Sequence, residues 1–362
     1  MKKILLLLFF FQLTILHANT ASKPLDLSIS NHAIGNSMLV YEDSSATMSL
    51  SDIHQLPPTI FKPLNKSVGS HYFTSSAFWY QFKVKNDENT ALSRLIVFEP
   101  AWLDMVNITV LSPSGEQQSY EGGNTLTYDK RAIDHYLINF KHSFEPGVST
   151  VYVQVKTRES FIVAISVMDE SVFLGEQQLY TLLIGLIYGG VIAMLFYNLF
   201  IFLGIKEHYY GLYVFYLFTF LLMTASYNGY TFMYLFADHP VMQNWVQSIS
   251  IYLYVLAGLL FARSFLNLKK YHHTLFHITT YLIYAIILGA LLSALLGGYT
   301  YNVILSVVSV MVMSSYIFGI AFYSWLKGNR SARYFLLGAS SGLLGSFITA
   351  LTMISFISTK PK

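Results

Sequence analysis

The tightest grouping of chemically capable side chains in the chain is Arg131, Asp134 and His135, a cation, a carboxylate and an imidazole in one polar stretch. It lacks the spacing of a catalytic unit: nowhere is there a His-Glu-x-x-His pair for zinc or a Gly-x-Ser-x-Gly elbow for a nucleophile. His32, His54, His71, His135 and His142 are scattered, and nothing in their order sets Asp43, Asp52, Asp104, Asp129 and Asp134 opposite one another. The expectation is therefore no enzyme, no metal and no cofactor. Polar contact with a ligand is the better use of the triplet. Trp79 and Trp102 are its aromatic counterparts, since a flat ring with an N–H can stack on a sugar or another small molecule and hydrogen-bond to it. The expected ligand contacts are thus Trp79, Trp102, Arg131, Asp134 and His135, weighed against the plainer reading that an aromatic ring in a β-domain belongs to its core.

The elements that would position these residues alternate in character. In Phe78 to Lys85, one face carries Phe78, Tyr80, Phe82 and Val84, while Gln81, Lys83 and Lys85 follow Trp79 on the other. Such a period of two marks a strand with one buried side. Similar alternation recurs at Val106 to Val110, Ile138 to Phe140, Val151 to Val155 and Phe161 to Val167, punctuated by turn formers at Asn86-Asp87, Pro113-Ser114-Gly115, Gly122-Gly123-Asn124 and Pro146-Gly147. Residues 22–170 are expected to form a β-sandwich, with a jelly roll as the favoured topology.

Flanking this region, the chain is apolar. Hydrophobic residues make up 54% of the 362 and charged residues only 11%, too apolar for a wholly soluble protein. The net charge of +3 gives no basic field for nucleic acid. Met1-Lys2-Lys3, the apolar run Ile4 to Leu16 and the small residues to Ala21 read as a signal peptide over residues 1–21. After a linker at 171–178, six apolar stretches follow within residues 179–357, at 179–203, 209–236, 245–265, 275–296, 303–326 and 334–357, with a tail at 358–362. Each is long enough to cross roughly 30 Å of hydrocarbon, so a lipid bilayer is the expected partner. With the β-domain outside, the inner connections hold Lys206, Lys269, Lys270, Lys327, Arg330 and Arg333, and the outer ones hold no Lys or Arg. The positive-inside rule and the leader thus agree on the orientation of a multi-pass membrane protein with its N-terminal domain exported. The near absence of charge within the spans disfavours an ion-coupled carrier. Asn198 and Asn228 are expected to hydrogen-bond between helices, and Gly185 with Gly189 and Gly338 with Gly342 to allow close helix approach.

Several segments together resemble a known family. They are Met38-Leu39-Val40-Tyr41-Glu42-Asp43, Leu50-Ser51-Asp52-Ile53, Ser76-Ala77-Phe78-Trp79-Tyr80-Gln81-Phe82, Gly185-Leu186-Ile187-Tyr188-Gly189-Gly190, Phe196-Tyr197-Asn198-Leu199-Phe200, Tyr209-Tyr210-Gly211-Leu212-Tyr213 and Asn228-Gly229. In this order they resemble the bacterial seven-transmembrane receptors with diverse intracellular signalling modules, in the branch with the type 2 extracellular domain. The resemblance implies a periplasmic jelly-roll sensor, similar to carbohydrate-binding domains, whose occupancy alters the packing of a helix bundle. It also implies a seventh span and a cytoplasmic output module. Six spans from an outside start end outside, so the expectation is a receptor-like chain lacking its own output, either truncated or served by a separate cytoplasmic signalling protein. Gln81 departs from the basic residue expected two places after the Trp. A carrier or channel with an accessory domain, and a non-signalling envelope anchor, remain the alternatives.

Overall fold

The computed structural model describes residues 24–28 and 31–353; the expected leader, the tail and the last residues of the sixth expected span lie outside the described residues. Twelve strands are described: β1 (Leu25–Asp26), β2 (Asn31–Ala33), β3 (Leu39–Asp43), β4 (Lys62–Pro63), β5 (Gly69–Tyr72), β6 (Ala77–Asn86), β7 (Leu92–Glu99), β8 (Met105–Leu111), β9 (Gln117–Gly122), β10 (Ile138–Phe144), β11 (Gly147–Lys156) and β12 (Phe161–Met168). One sheet runs β4-β3-β6-β11-β8-β9, with β1 added in parallel to β6. The other runs β10-β7-β12-β2, with β5 on β12. Every pairing other than β1 with β6 is antiparallel.

The alternation read from the sequence sets the register. Phe78, Tyr80, Phe82 and Val84 of β6 point inward with Val106, Ile108 and Val110 of β8 and Val151, Val153 and Val155 of β11. They pack with Ile96 and Phe98 of β7, Ile138 and Phe140 of β10, and Phe161 to Val167 of β12. A one-residue slip in any of these strands would turn its whole apolar set to water. Trp79 points away from that core yet is only 5% exposed, because helix α1 (Leu50–Gln55) and Phe61 cover it. A capping box starts α1: the Ser49 hydroxyl accepts from the Asp52 amide, and the Asp52 carboxylate accepts from the Ser49 amide at 2.7 Å. The loop before it is clamped by the Asp43 carboxylate, which accepts from the Ser45, Ala46 and Met48 amides and the Ser45 hydroxyl.

The remainder is helical: α2 (Glu170–Ile205), α3 (His208–Tyr227), α4 (Tyr230–Tyr234), α5 (Pro240–Phe265), α6 (Leu268–Tyr271), α7 (His273–Leu292), α8 (Gly298–Leu326) and α9 (Ala332–Met353). Among the described residues five helices are long and apolar enough to cross a membrane: α2, α3, α5, α7 continued to Leu295, and α8 from Tyr299. The 22 residues of α9 extend about 33 Å, enough to reach across the same layer. Residues 171–178, expected as a linker, are instead the first turns of α2, which follows β12 directly at Asp169. The expected continuous span 209–236 is also corrected. It breaks at Asn228-Gly229, where Gly229 takes φ +80° and α4 sets off separately.

Two expectations about helix contacts change too. Asn198 donates to Met194 O of its own helix rather than to a neighbour, whereas Asn228 does cross between helices, donating to the Tyr188 hydroxyl at 2.8 Å. A Cβ added at Gly185, Gly189, Gly338 or Gly342 would meet nothing within 4 Å, so among the described residues no neighbour exploits those small residues. The 36 residues of α2 carry the chain about 54 Å from the β-domain. Lys206 caps α2, Lys269 and Lys270 lie in the short α6, Lys327 and Arg330 fall between α8 and α9, and Arg333 stands in the first turn of α9, all around the helix ends away from the β-domain.

Candidate functional site

The expected ligand contacts do not assemble on an open face of the β-domain. Trp79 lies under α1 with its Nε1 buried and unpartnered. Trp102, Arg131 and His135 instead meet the helices, with exposed Asp134 at the rim. The site that the fold builds is thus the junction between the sandwich and the outer ends of α2, α3, α4, α5 and α8.

Its apolar part centres on the break in the second span. At Gly229 an added Cβ would stand 3.1 Å from Ala101 Cβ and 3.2 Å from Tyr136 O, so the helical turn approaches the sandwich closer than a side chain allows. Around it, Leu95, Val97, Ala101, Tyr136, Leu137, Met168 and Phe173 form a second buried cluster, joined by Tyr230 and Met233 of α4. The Tyr136 and Tyr230 rings are 5.2 Å apart, and the Tyr136 hydroxyl donates to Gln177 Oε1 of α2 at 3.1 Å. The Tyr128 amide donates to Ala237 O at 3.0 Å.

Arg131 braces the loop that makes these contacts. Its Nη1 donates to His135 O at 2.8 Å and to Tyr136 O, and its guanidinium lies 4.6 Å from the Tyr128 ring and 5.4 Å from the Phe232 ring of α4. Nη2 is buried without a partner, and burial pulls the guanidinium down to about 10, still charged at neutral pH. His135 is held down to about 4, first by burial and then by the Arg131 charge. It is therefore neutral; Nδ1 accepts from the Leu137 amide at 3.2 Å and the ring edge meets Phe173. The Tyr128 hydroxyl donates to Asp134 at 2.8 Å, closing the cluster on its exposed side.

The polar part lies in the turn between β11 and β12. Arg158 places Nε and Nη2 on the Asp104 carboxylate at 3.1 and 2.8 Å, and its amide donates to Asp104 Oδ2 at 2.6 Å. Asp104 is fixed from behind by Gly123 (φ +123°), where an added Cβ would fall 2.4 Å from Asp104 O. The guanidinium also stacks 4.4 Å above the ring of Tyr299, at the outer end of α8. Beside it Glu159 is 4% exposed, with Oε1 2.6 Å from the Tyr299 hydroxyl, which is also 3.3 Å from Asn244 O of α5. Burial above all, with the Asp104 charge adding, pushes the Glu159 carboxyl up to about 7 against the opposing pull of Tyr299 and Arg158. Trp102 packs alongside, its ring edge-on to Tyr227 of α3 at 5.6 Å and its Nε1 3.5 Å from Ser160 O.

Residue types alone pointed to Arg131 and His135 but not to Arg158, Glu159, Tyr136, Gly229 or Tyr299. One signal was present: Asn-Gly inside an apolar run is a turn dipeptide and marks the break. At the far end of the bundle, a cavity of about 720 Å³ opens among Tyr209, Tyr213, Tyr254, Phe265, Tyr334 and their neighbours, with no charged side chain in its lining. What the junction can do is mechanical and electrostatic: it fixes the sandwich to several helix ends through groups whose hydrogen bonds depend on protonation and alignment.

No curated protein matches the chain. Two family profiles do, in the order that the fold displays: 7TMR-DISM extracellular 2 over residues 35–169, and 7TM diverse intracellular signalling over residues 180–361. The first falls on the sandwich and the second on the helix bundle, which spans half the chain, and the protein accordingly belongs to the 7TMR-DISM family of membrane receptors with an extracellular sensor domain.

Proposed function

We propose that this receptor binds a small ligand, with carbohydrate the leading class, through its β-domain, and that the junction converts occupancy into a change of helix packing. The observation that carries the relay is the two-part contact just described. Its loops continue strands β7, β10, β11 and β12, so a shift in those strands is delivered to the ends of α4, α5 and α8.

Double-sheet jelly rolls recur among lectins, and the outer face of the larger sheet beside α1 carries amide and hydroxyl groups of the kind that pair with sugar hydroxyls, half-buried at Gln81, Asn107 and Tyr152 and buried at Gln154. There Gln81 donates to the Tyr152 hydroxyl at 2.8 Å, and Asn107 donates to Gln154 at 3.2 Å. Under this reading Trp102, Arg131 and His135 position the junction rather than touch the ligand. The chain performs no chemical conversion, and an N-terminal leader exports the sandwich to the periplasm of a bacterial inner membrane.

The test uses the full chain in lipid nanodiscs, titrated calorimetrically with a panel of mono- and oligosaccharides. Saturable heat that is lost in Tyr152→Ala but kept in Arg131→Met supports the assignment. Sugar flux into proteoliposomes would favour a carrier, and saturable heat surviving in Tyr152→Ala would place the ligand elsewhere.

A further inference from the structure

Tyr299 faces two acceptors with one hydrogen. Its hydroxyl lies 2.6 Å from Glu159 Oε1 and 3.3 Å from Asn244 O, and a phenol has a single O–H to donate. With Glu159 ionised, the carboxylate takes that hydrogen, because a charged acceptor outcompetes a peptide carbonyl. The Asn244 carbonyl then goes without it. With Glu159 protonated, the acid itself donates to the Tyr299 oxygen and the phenol hydrogen turns to Asn244. We propose that proton occupancy of Glu159 switches this chain, so that the exported domain is tied to α5 as well as to α8 only in the protonated state.

The surroundings favour such a response. From the sandwich, Asp104 and Arg158 face Glu159, and they are committed to each other through a two-point ion pair. From the helices come the hydroxyls of Tyr227 on α3 and Tyr299 on α8. The amide-bearing neighbours on α5, Asn244 and Gln247, carry no charge. Among the described residues Glu159 therefore has no cation committed to it, Arg158 acting on it only secondarily, and burial governs its ionisation. Its carboxyl sits at about 7 in the closed junction, against 4.5 for a hydrated glutamate. The sign follows from linkage. A raised acid binds its proton more tightly when the junction is closed, so the added closure is present in full below 4.5 and is lost as pH rises through 7. The rise from 4.5 to about 7 makes the loss about a few hundredfold in the closing equilibrium.

This inference rests on the junction being the route between domain and bundle, but its test needs no ligand, so a failure to find a sugar leaves it standing. The sequence contains no cysteine, which permits a clean spin-label pair at Glu121→Cys on β9 and Val241→Cys at the start of α5. In nanodiscs, pulsed electron resonance should give a narrow distance distribution at about pH 5 that broadens by about pH 9, with its midpoint near neutrality. Glu159→Gln, whose amide donates as the protonated acid does, should hold the narrow distribution throughout. Tyr299→Phe should leave it broad throughout. On the otherwise unmodified chain, infrared titration with labelled glutamate should show a protonated-carboxyl band disappearing near neutral pH, and Glu159→Gln should lack it. An unchanging distribution in the parent chain, an undiminished pH response in Glu159→Gln, or no glutamate band titrating near neutrality would each overturn the proposal.

Discussion

Replacing Gly229 with alanine should loosen the sandwich from the bundle, and the structure allows the effect to be sized. Two costs add. The φ of +80° places the residue in the left-handed region, where a Cβ costs about 1–2 kcal/mol. The new methyl would also meet Ala101 Cβ at 3.1 Å and Tyr136 O at 3.2 Å, tighter than ordinary contact. Neither neighbour is the tip of a flexible side chain, so the junction must part by a few tenths of an ångström. Loss of part of the Tyr136–Tyr230 contact adds about 1 kcal/mol. Together they weaken closure by about 2–3 kcal/mol, or roughly 30- to 150-fold. Gly328 supplies the control, since its φ of +91° carries the same backbone cost while nothing stands within 4 Å of an added Cβ. Hydrogen exchange measured by mass spectrometry on the full chain in nanodiscs should show faster exchange across residues 128–137 and α4 in Gly229→Ala but not in Gly328→Ala. Equal exchange in the two variants, with residues 128–137 as protected as in the parent, would refute the reasoning that the helix break is shaped to seat the sandwich.

Arg131→Met should expose the 128–137 loop to chymotrypsin, because two carbonyls lose a charged donor at about 2–3 kcal/mol. Arg131→Lys should restore little, since an ammonium cannot reproduce the planar contact with Tyr128 and Phe232. Trp102→Phe keeps an edge contact to Tyr227 and loses only a hydrogen bond at its outer limit, so it should leave sugar affinity unchanged; a tenfold loss would return Trp102 to the ligand site. Acid should release α1 from the sheet. Burial opposes ionisation of Asp43, but the Ser45 hydroxyl and the Met48, Ser45 and Ala46 amides outweigh it and hold the carboxyl below 3.8. Its contribution is present above 3.8 and is lost as pH falls through the lower folded value. Trp79 fluorescence should report that release, and Asp43→Asn should show it already at neutral pH.

The sandwich was legible in the sequence because its strands follow a strict period of two with one apolar face, as in β6, β8, β11 and β12. The helices were legible by length and composition. The site was not, for a physical reason. Residues at a domain junction look like loop residues along the chain, and their burial comes from elements distant in sequence: Tyr299 lies 140 positions from Glu159. Trp79 shows the same limit. Its position in β6 puts it on the wet face, and α1 and Phe61, contributed by an earlier segment, cover it. Arg131, Asp134 and His135 do lie around one loop, but the rings that face Arg131 and His135 there, Phe232 of α4 and Phe173 of α2, come from helices that residue type along the loop could not indicate.

The two halves of the junction respond to different perturbations, and that difference bears on how a tilt could arise. The contact around Gly229 is apolar and aromatic, so its strength depends little on pH or salt. Near it the sandwich is also continuous with α2 through Asp169, with Phe173 buried in the shared cluster. The contact around Glu159 depends on a proton, an ion pair and one shared hydrogen. Weakening the second while the first persists leaves the sandwich held at α2 and α4 and freer at α5 and α8. Relative motion is then a rotation about the retained contact rather than a separation. A ligand that strains β11 or β12 acts on the same turn as the proton does, since residues 157–160 join those strands. By reciprocity, ligand binding and proton uptake at Glu159 must then shift each other by the same factor. Sugar titrations repeated at about pH 5 and about pH 9 should therefore differ in affinity in the parent chain and coincide in Glu159→Gln; equal affinities in the parent would show that the ligand does not work through this turn.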